Sequence, residues 1–245
     1  MIPNIVIGKV VISSWYTAVI AGAIITALLA VYSKPPGFSL SRREISIVAI
    51  FLFVFGLLGA RLLYILLHIK QTKFSLQGIF SFQGGFAYFG TFILTILAIL
   101  IYAKFRKVNS LALLDYGMPF LLLSQAFVRI GCLLGGCCYG KPALFGVVFK
   151  IVDNLPRHPT QAYEAIVILL TYYMSRSVYA KKASDPGFTF SIVLGLYGAG
   201  RFLVEALRTD SPTIILNLTL AQLSCLALIT LAALVFSFRK RPIPI

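Results

Sequence analysis

The chain has 245 residues, 59% of them hydrophobic and only 12% charged, where a soluble domain carries about 25% charged residues. That balance and a mean hydropathy of +0.93 exclude a water-soluble globular domain. The formal net charge of +15, from 22 Lys and Arg against 7 Asp and Glu, does not point to nucleic acid. Its basic residues collect beside apolar runs, at Lys34, Arg42, Arg43, Lys104, Arg106, Lys107, Lys181, Lys182 and Arg239–Arg241, as the positive-inside rule places them on cytoplasmic loops.

A membrane-spanning helix needs about 20 mostly apolar residues. Seven runs qualify, at 14–32, 44–67, 86–103, 111–130, 161–179, 187–206 and 214–237. The expected fold is an all-α polytopic membrane protein, one transmembrane domain over residues 1–245. The first run lacks a basic n-region and a small-residue cleavage site, so it reads as a retained span. The Arg239–Arg241 cluster places the C-terminus in the cytoplasm, and seven crossings then leave the N-terminus outside.

Lys34-Pro-Pro-Gly37 ends the first run and Asp185-Pro-Gly187 opens the sixth, both with strong chain breakers. Asp115, near the start of the fourth run, suits a helix N-terminus. The longest interruption is 131–160, within which 143–152 reads as a short surface hairpin. Glycines at 84–85, 131, 135–136 and 140 point to irregular backbone lining a shared cavity near the outer leaflet, since such backbone at membrane depth must be buried in protein or wet.

Charges inside spans mark the site, because they are costly there unless paired or wetted. Tyr197, Arg201, Glu205 and Arg208 follow one another at spacings of four, four and three residues, which puts them on one helical face. The bland reading is a structural Arg201–Glu205 pair. The functional one is an anion site in which an arginine fork grips a phosphate. Arg129 begins Arg129-Ile-Gly-Cys-Leu-Leu-Gly-Gly-Cys-Cys-Tyr-Gly-Lys-Pro142. Gly135, Gly140 and Lys141 nearly match a P-loop, but Pro142 stands where the magnesium-binding Ser or Thr belongs. Nucleotide binding is excluded, and a glycine-rich turn beside a cation remains as an anion cradle.

Cys132, Cys137 and Cys138 read either as small packed residues or as thiols activated by Arg129. Their spacing is not that of a zinc cage, so no metal is expected. Cys225 reads as a packing residue. Arg157-His-Pro-Thr-Gln-Ala-Tyr-Glu164 reads as a helix opening, with His158 as a candidate proton carrier. Arg61 is a further charge within a span. Neither Gly-x-Ser-x-Gly nor His-Glu-x-x-His is present, and no cofactor is expected.

These segments resemble the bacterial prolipoprotein diacylglyceryl transferases. The resemblance runs through Trp15-Tyr16, Gly59-Ala-Arg-x-x-Tyr64, Asp115-x-x-x-Pro119, Gln125, Arg129-Ile-Gly131, Arg157–Glu164, Tyr197–Arg208 and Thr219-x-x-Gln222-x-Ser224. It implies seven spans around a cavity open to the outer leaflet, in the cytoplasmic membrane of a bacterium. It implies transfer of diacylglyceryl from phosphatidylglycerol to the lipobox cysteine of a preprolipoprotein signal peptide, releasing glycerol phosphate. Arg129 and Arg201 would hold the lipid phosphate, Tyr16, Tyr197 and Glu205 would orient them, and Gly140 would let the turn approach the lipid. Arg61, Gln125, Arg208 and His158 complete the expected substrate-binding set, and Cys132 and Cys137 the catalytic set.

The chain departs from the family pattern at the thiol-activating groups. Phe89 stands at a histidine position, Cys132 at an asparagine and Cys137 at a glutamate. Either another base (His158, Glu205 or a cysteine thiolate) serves the acceptor, or the chain is a divergent member with another acceptor or none. The rival readings are a non-catalytic phospholipid-binding protein and a thiol-redox or metal-handling protein.

Overall fold

The structure is a computed structural model, which describes residues 4–7, 10–35, 38–69, 88–209, 211 and 213–239. Among these residues there are seven helices: α1 (Ser14–Tyr32), α2 (Arg42–Leu67), α3 (Tyr88–Arg106), α4 (Ser110–Gly135), α5 (Thr160–Lys182), α6 (Phe188–Glu205) and α7 (Leu220–Phe238). Each of the seven predicted runs overlaps one of these helices. Five of the helices, α1, α2, α4, α6 and α7, are long and apolar enough to cross a membrane. Helix α5 carries Glu164, Arg176, Lys181 and Lys182 along its length. The Gly84–Gly85 stretch lies outside the described residues.

Three short antiparallel pairs accompany the helices. They are β1 (Asn4–Ile7) with β2 (Val10–Ser13), β3 (Pro142–Val148) with β4 (Pro156–Arg157), and β5 (Thr213–Ile215) with β6 (Leu218–Thr219). The hairpin expected within 143–152 is displaced: β3 covers most of that stretch, but its partner strand β4 lies beyond it at Pro156–Arg157.

Two boundaries differ most from the sequence reading. Helix α4 runs to Gly135 instead of ending near 130, because Gly131 keeps helical backbone and the chain first turns at Gly136, with φ 74°. Helix α7 begins at Leu220 instead of 214. Leu216 and Asn217 take positive φ (53° and 58°) in the turn of the β5–β6 hairpin, as a two-residue hairpin turn demands. The helix then starts at a capping box, in which Thr219 Oγ1 accepts from Gln222 N and the Gln222 side chain accepts from Thr219 N.

The residues form two compact units, one of 27–113 and one of 1–26 with 114–245. In the smaller unit α2 packs against α3 with the two backbones touching. A Cβ added at Gly59 would lie 2.2 Å from the Gly90 carbonyl oxygen, and Thr91 Oγ1 donates to Gly56 O at 3.0 Å. Small residues that allow close approach, with a hydroxyl bonding across, are how helices associate in lipid. A Ser41–Glu44 capping box starts α2, and Glu44 pairs with Arg106 at the end of α3. Arg61 is buried in this unit, with its guanidinium 5.7 Å from the centre of the Tyr64 ring.

In the larger unit α6 packs between α5 and α7. Gly200 meets Val167 of α5, and Gly198 meets Ile229 and the Cys225 carbonyl of α7. Polar groups are turned inward and large apolar ones outward: Asp115, Gln161, Glu164 and Glu205 are buried along with Ile168 and Leu194, while Ile24, Leu170 and Leu203 are exposed. That inversion suits a bilayer, where ionisable groups turn inward.

Asp115 has the capping role its position suggested, but it caps another helix. Its carboxylate accepts from Gly187 N at 2.6 Å and Phe190 N at 2.7 Å at the start of α6. The left-handed φ of 91° at Gly187 makes that entry turn. Asp115→Ala leaves two buried amides unpaired, and each costs about 1–3 kcal/mol. The expected result is a clear drop in thermal stability in detergent, with Asp115→Asn recovering part of it.

Candidate active site

Three helices of the larger unit, α4, α5 and α6, meet at a carboxylate that the sequence reading left as part of a helix opening. Glu164, in the second turn of α5, is 1% exposed. Its Oε1 lies 2.9 Å from Arg129 Nε on α4, and its Oε2 lies 3.3 Å from Arg201 Nε on α6. Tyr197 donates its hydroxyl to Oε1 at 3.1 Å. One carboxylate therefore binds two guanidiniums from helices that are distant in sequence. Tyr197, expected to steady an arginine, reaches both arginines through Glu164.

Glu205 is the second node. Its Oε2 is 2.5 Å from Arg201 Nη1 and 3.6 Å from Arg208 Nε, and Thr219 donates to its Oε1 at 3.1 Å. The Arg201–Glu205 pair expected from the four-residue spacing is thus formed, and the capping threonine of α7 fixes its carboxylate. Arg129 Nε and Arg201 Nη1 touch their carboxylates by distance without an aligned hydrogen bond. These are ionic contacts at buried guanidiniums, not saturated forks.

The charges decide what such a cluster holds. Among the described residues, Arg129, Arg201 and Arg208 stand against Glu164 and Glu205, so the cluster is rich in guanidinium. A phosphodiester supplies one negative charge, with oxygens that match the geometry of arginine forks.

The segment between α4 and α5 lies against this cluster, with Gly140 bridging to Arg208. Gly140 N donates to His158 O at 2.9 Å, His158 N to Lys141 O at 3.1 Å, and Lys141 N to Leu207 O at 2.8 Å. A Cβ at Gly140 would lie 2.7 Å from both His158 Cβ and the Leu207 carbonyl oxygen, so only glycine fits. Lys141 Nζ donates to Ala206 O at the C-terminal end of α6, where a cation suits the helix dipole. His158 Nδ1 lies 3.3 Å from the Tyr163 hydroxyl. Asp153 and Arg157 pair at 2.5 Å, and that partner holds the Asp153 carboxyl below its usual range.

Other predicted residues fall nearby. Gln125 is buried on α4 one turn before Arg129. Gly131 brings the start of α1 close, since a Cβ there would lie 3.2 Å from Trp15 Cα. Tyr16 is the next residue, its ring 5.1 Å from that of Trp15. Arg61 belongs to the other unit. Phe89 lies in the first turn of α3, but its side chain lies outside the described residues.

The three signature cysteines come together. Their Sγ atoms all lie within 4.8 Å of one another, although their linear spacing matched no familiar cage. Cys137 N donates to Cys132 O at 3.1 Å. Thr160 Oγ1 donates to Cys138 O at 2.6 Å, and the Gln161 amide donates to Cys137 O. The neighbouring thiols of Cys132 and Cys137 hold the Cys138 thiol well below the usual thiol range, and Arg208 and Arg129 act in the same sense. Cys137 is pushed above that range by the same exchange.

Sequence reasoning missed Glu164, Thr219 and Cys138 as site members. The signal for Glu164 was present: it is a carboxylate one turn inside an apolar run that also contains Gln161, and an acid at that depth needs a cation.

Known proteins carry the same pattern along nearly the whole chain. The family model for prolipoprotein diacylglyceryl transferase matches residues 4–238. A phosphatidylglycerol–prolipoprotein diacylglyceryl transferase of Clostridium tetani is 34% identical over 236 residues, 92% of this chain and 94% of the relative. One from Clostridium botulinum (strain Loch Maree) is 33% identical over 218 residues, 80% and 81% of the two chains. Transferase 2 of Clostridium perfringens is 37% identical over 164 residues, 63% of each. With the family match spanning both compact units, the chain belongs to the prolipoprotein diacylglyceryl transferase family.

Proposed function

We propose that this protein transfers the diacylglyceryl group of phosphatidylglycerol to the lipobox cysteine thiol of a preprolipoprotein, forming a thioether and releasing glycerol phosphate. The observation that carries this reading is the sharing of one buried carboxylate, Glu164, by Arg129 and Arg201. Two preorganised guanidiniums held by one shared carboxylate bind the lipid phosphate and stabilise the charge that grows on it as the carbon–oxygen bond breaks. Such fixed electrostatics in a dry site is usually the largest catalytic contribution.

In this reading Arg208 adds charge at the phosphate through Glu205. Tyr197, Glu205 and Tyr16 position the guanidiniums, and Gln125 lines the substrate path. Gly140 and His158 shape the turn above the headgroup, with Cys132 and Cys137 at the acceptor end. The protein works as one domain with seven crossings in a bacterial cytoplasmic membrane, its cavity open to the outer leaflet, its N-terminus outside and its C-terminus in the cytoplasm. The basic clusters flanking α2, α3, α5 and α7 support that orientation.

The test is complementation. Expression in a bacterium depleted of its own transferase is expected to restore growth and lipid-modified lipoprotein. Phosphatidylglycerol binding by purified protein, with neither rescue nor turnover, would favour the non-catalytic lipid-binding reading instead.

A further inference from the structure

We propose that Cys132, Cys137 and Cys138 form a three-thiolate site for one thiophilic divalent cation of the zinc class, with a fourth position that receives the acceptor thiol. The use of the fourth position rests on the transferase reading above; the cation site does not.

Geometry is the first argument. A tetrahedral centre with metal–sulfur bonds of about 2.3 Å sets its sulfurs about 3.8 Å apart. Cys137 and Cys138 Sγ are 3.7 Å apart, and all three sulfurs lie within 4.8 Å. The widest pair needs to close by only about 1 Å. All three are free thiols.

The frame around them is built. Cys132 sits in the last turn of α4, and Cys137 N returns to its carbonyl. Cys138 takes a left-handed φ of 60°, uncommon for a side chain of this kind. Thr160 and Gln161 at the start of α5 tie down the carbonyls of Cys138 and Cys137. Three ligands on a strapped loop resist collapse when a cation enters or leaves.

Ligand type and charge select the cation. Thiolates favour zinc-like ions over magnesium or calcium. A divalent ion with three thiolates carries one negative charge, and Arg129 and Arg208 both interact electrostatically with Cys138. Cys132 is buried, Cys138 half-buried and Cys137 exposed, so the cluster is closed on the protein side and open on the Cys137 side. Metal sites with three protein ligands and one open position are the catalytic kind.

The chemistry fills a gap the sequence exposes. Two of the three departures from the family pattern, Cys132 and Cys137, are themselves ligands here. An acceptor thiol entering the fourth position gives its proton to solvent and binds as thiolate, the form that attacks. Its sulfur bonds to the glyceryl methylene carbon attached to the phosphate oxygen. The carbon–oxygen bond breaks, and its electron pair leaves on glycerol phosphate. No atom is oxidised or reduced.

The experiment uses full-length, reduced protein in phosphatidylcholine nanodiscs, loaded with cobalt(II) as the spectroscopic stand-in. The expected result is a sulfur-to-cobalt charge-transfer band at one cobalt per chain, displaced by zinc. Cys132→Ser, Cys137→Ser and Cys138→Ser each lose most of it, and Cys225→Ser keeps it. A lipobox peptide bearing cysteine shifts the visible cobalt bands and its serine counterpart does not. Absence of the band from wild-type protein, a band indifferent to the three cysteines, or identical spectra with the two peptides would overturn the proposal. Phosphatidylglycerol turnover is read separately. A band without turnover strikes the transferase reading, and turnover without a band strikes the cation site.

Discussion

Replacing Glu164 by glutamine is expected to lower phosphatidylglycerol turnover by about 10²–10³-fold, the loss typical of removing one preorganised charge-stabilising contact. The side chain keeps its shape, so the packing of α5 against α6 survives. What disappears is the negative charge that both Arg129 Nε and Arg201 Nε approach. Without that shared charge the two guanidiniums repel each other and the two forks separate. Glu164→Ala goes further. Breaking a buried ion pair by removing one partner costs about 3–5 kcal/mol, and Tyr197 also loses its acceptor. The alanine protein should therefore unfold at markedly lower temperature in detergent. Glutamine should fall mainly in kcat and alanine in both activity and yield, as read by glycerol phosphate release and thermal denaturation.

Arg129→Ala and Arg201→Ala are each expected to reduce the same turnover by about 10²–10³-fold. Lysine at either position should recover little. It keeps the charge but presents a point cation where a planar fork is held between carboxylates. The two positions differ in what they leave behind. Arg201 touches both Glu164 and Glu205, so its removal strips a cation from two buried acids. Arg129 touches Glu164 alone among the described ion pairs. Arg201→Ala should thus be the more destabilising variant even where the activity losses match.

Apolar runs of span length announced the helices, because the period and the bilayer thickness constrain them together. Their ends were legible where side chains or breakers act locally, as at Ser14, where α1 begins at its predicted residue. They were not legible where the backbone decided. Gly131 and Gly135 looked like breaks and stayed helical, while Leu216 and Asn217 looked like span and became a turn. In the site, Tyr197, Arg201, Glu205 and Arg208 showed through a helical spacing that a single segment contains. Glu164 did not show, because its partners come from α4 and α6 and no local pattern records that convergence. The cysteines failed for the opposite reason. Their linear spacing was tested against known cages, whereas a left-handed residue at Cys138 brings the sulfurs together without one.

The central claim is that Arg129 and Arg201 act as one phosphate grip through the carboxylate of Glu164. The direct measurement is a double-mutant cycle of Arg129→Ala and Arg201→Ala on single-turnover release of glycerol phosphate from phosphatidylglycerol. Residues that share a partner couple by about 0.5–3 kcal/mol. The double variant should therefore be little worse than either single one, as when residues act as a unit. Losses that simply multiply would mean the two guanidiniums serve separate sites, and the account would be contradicted.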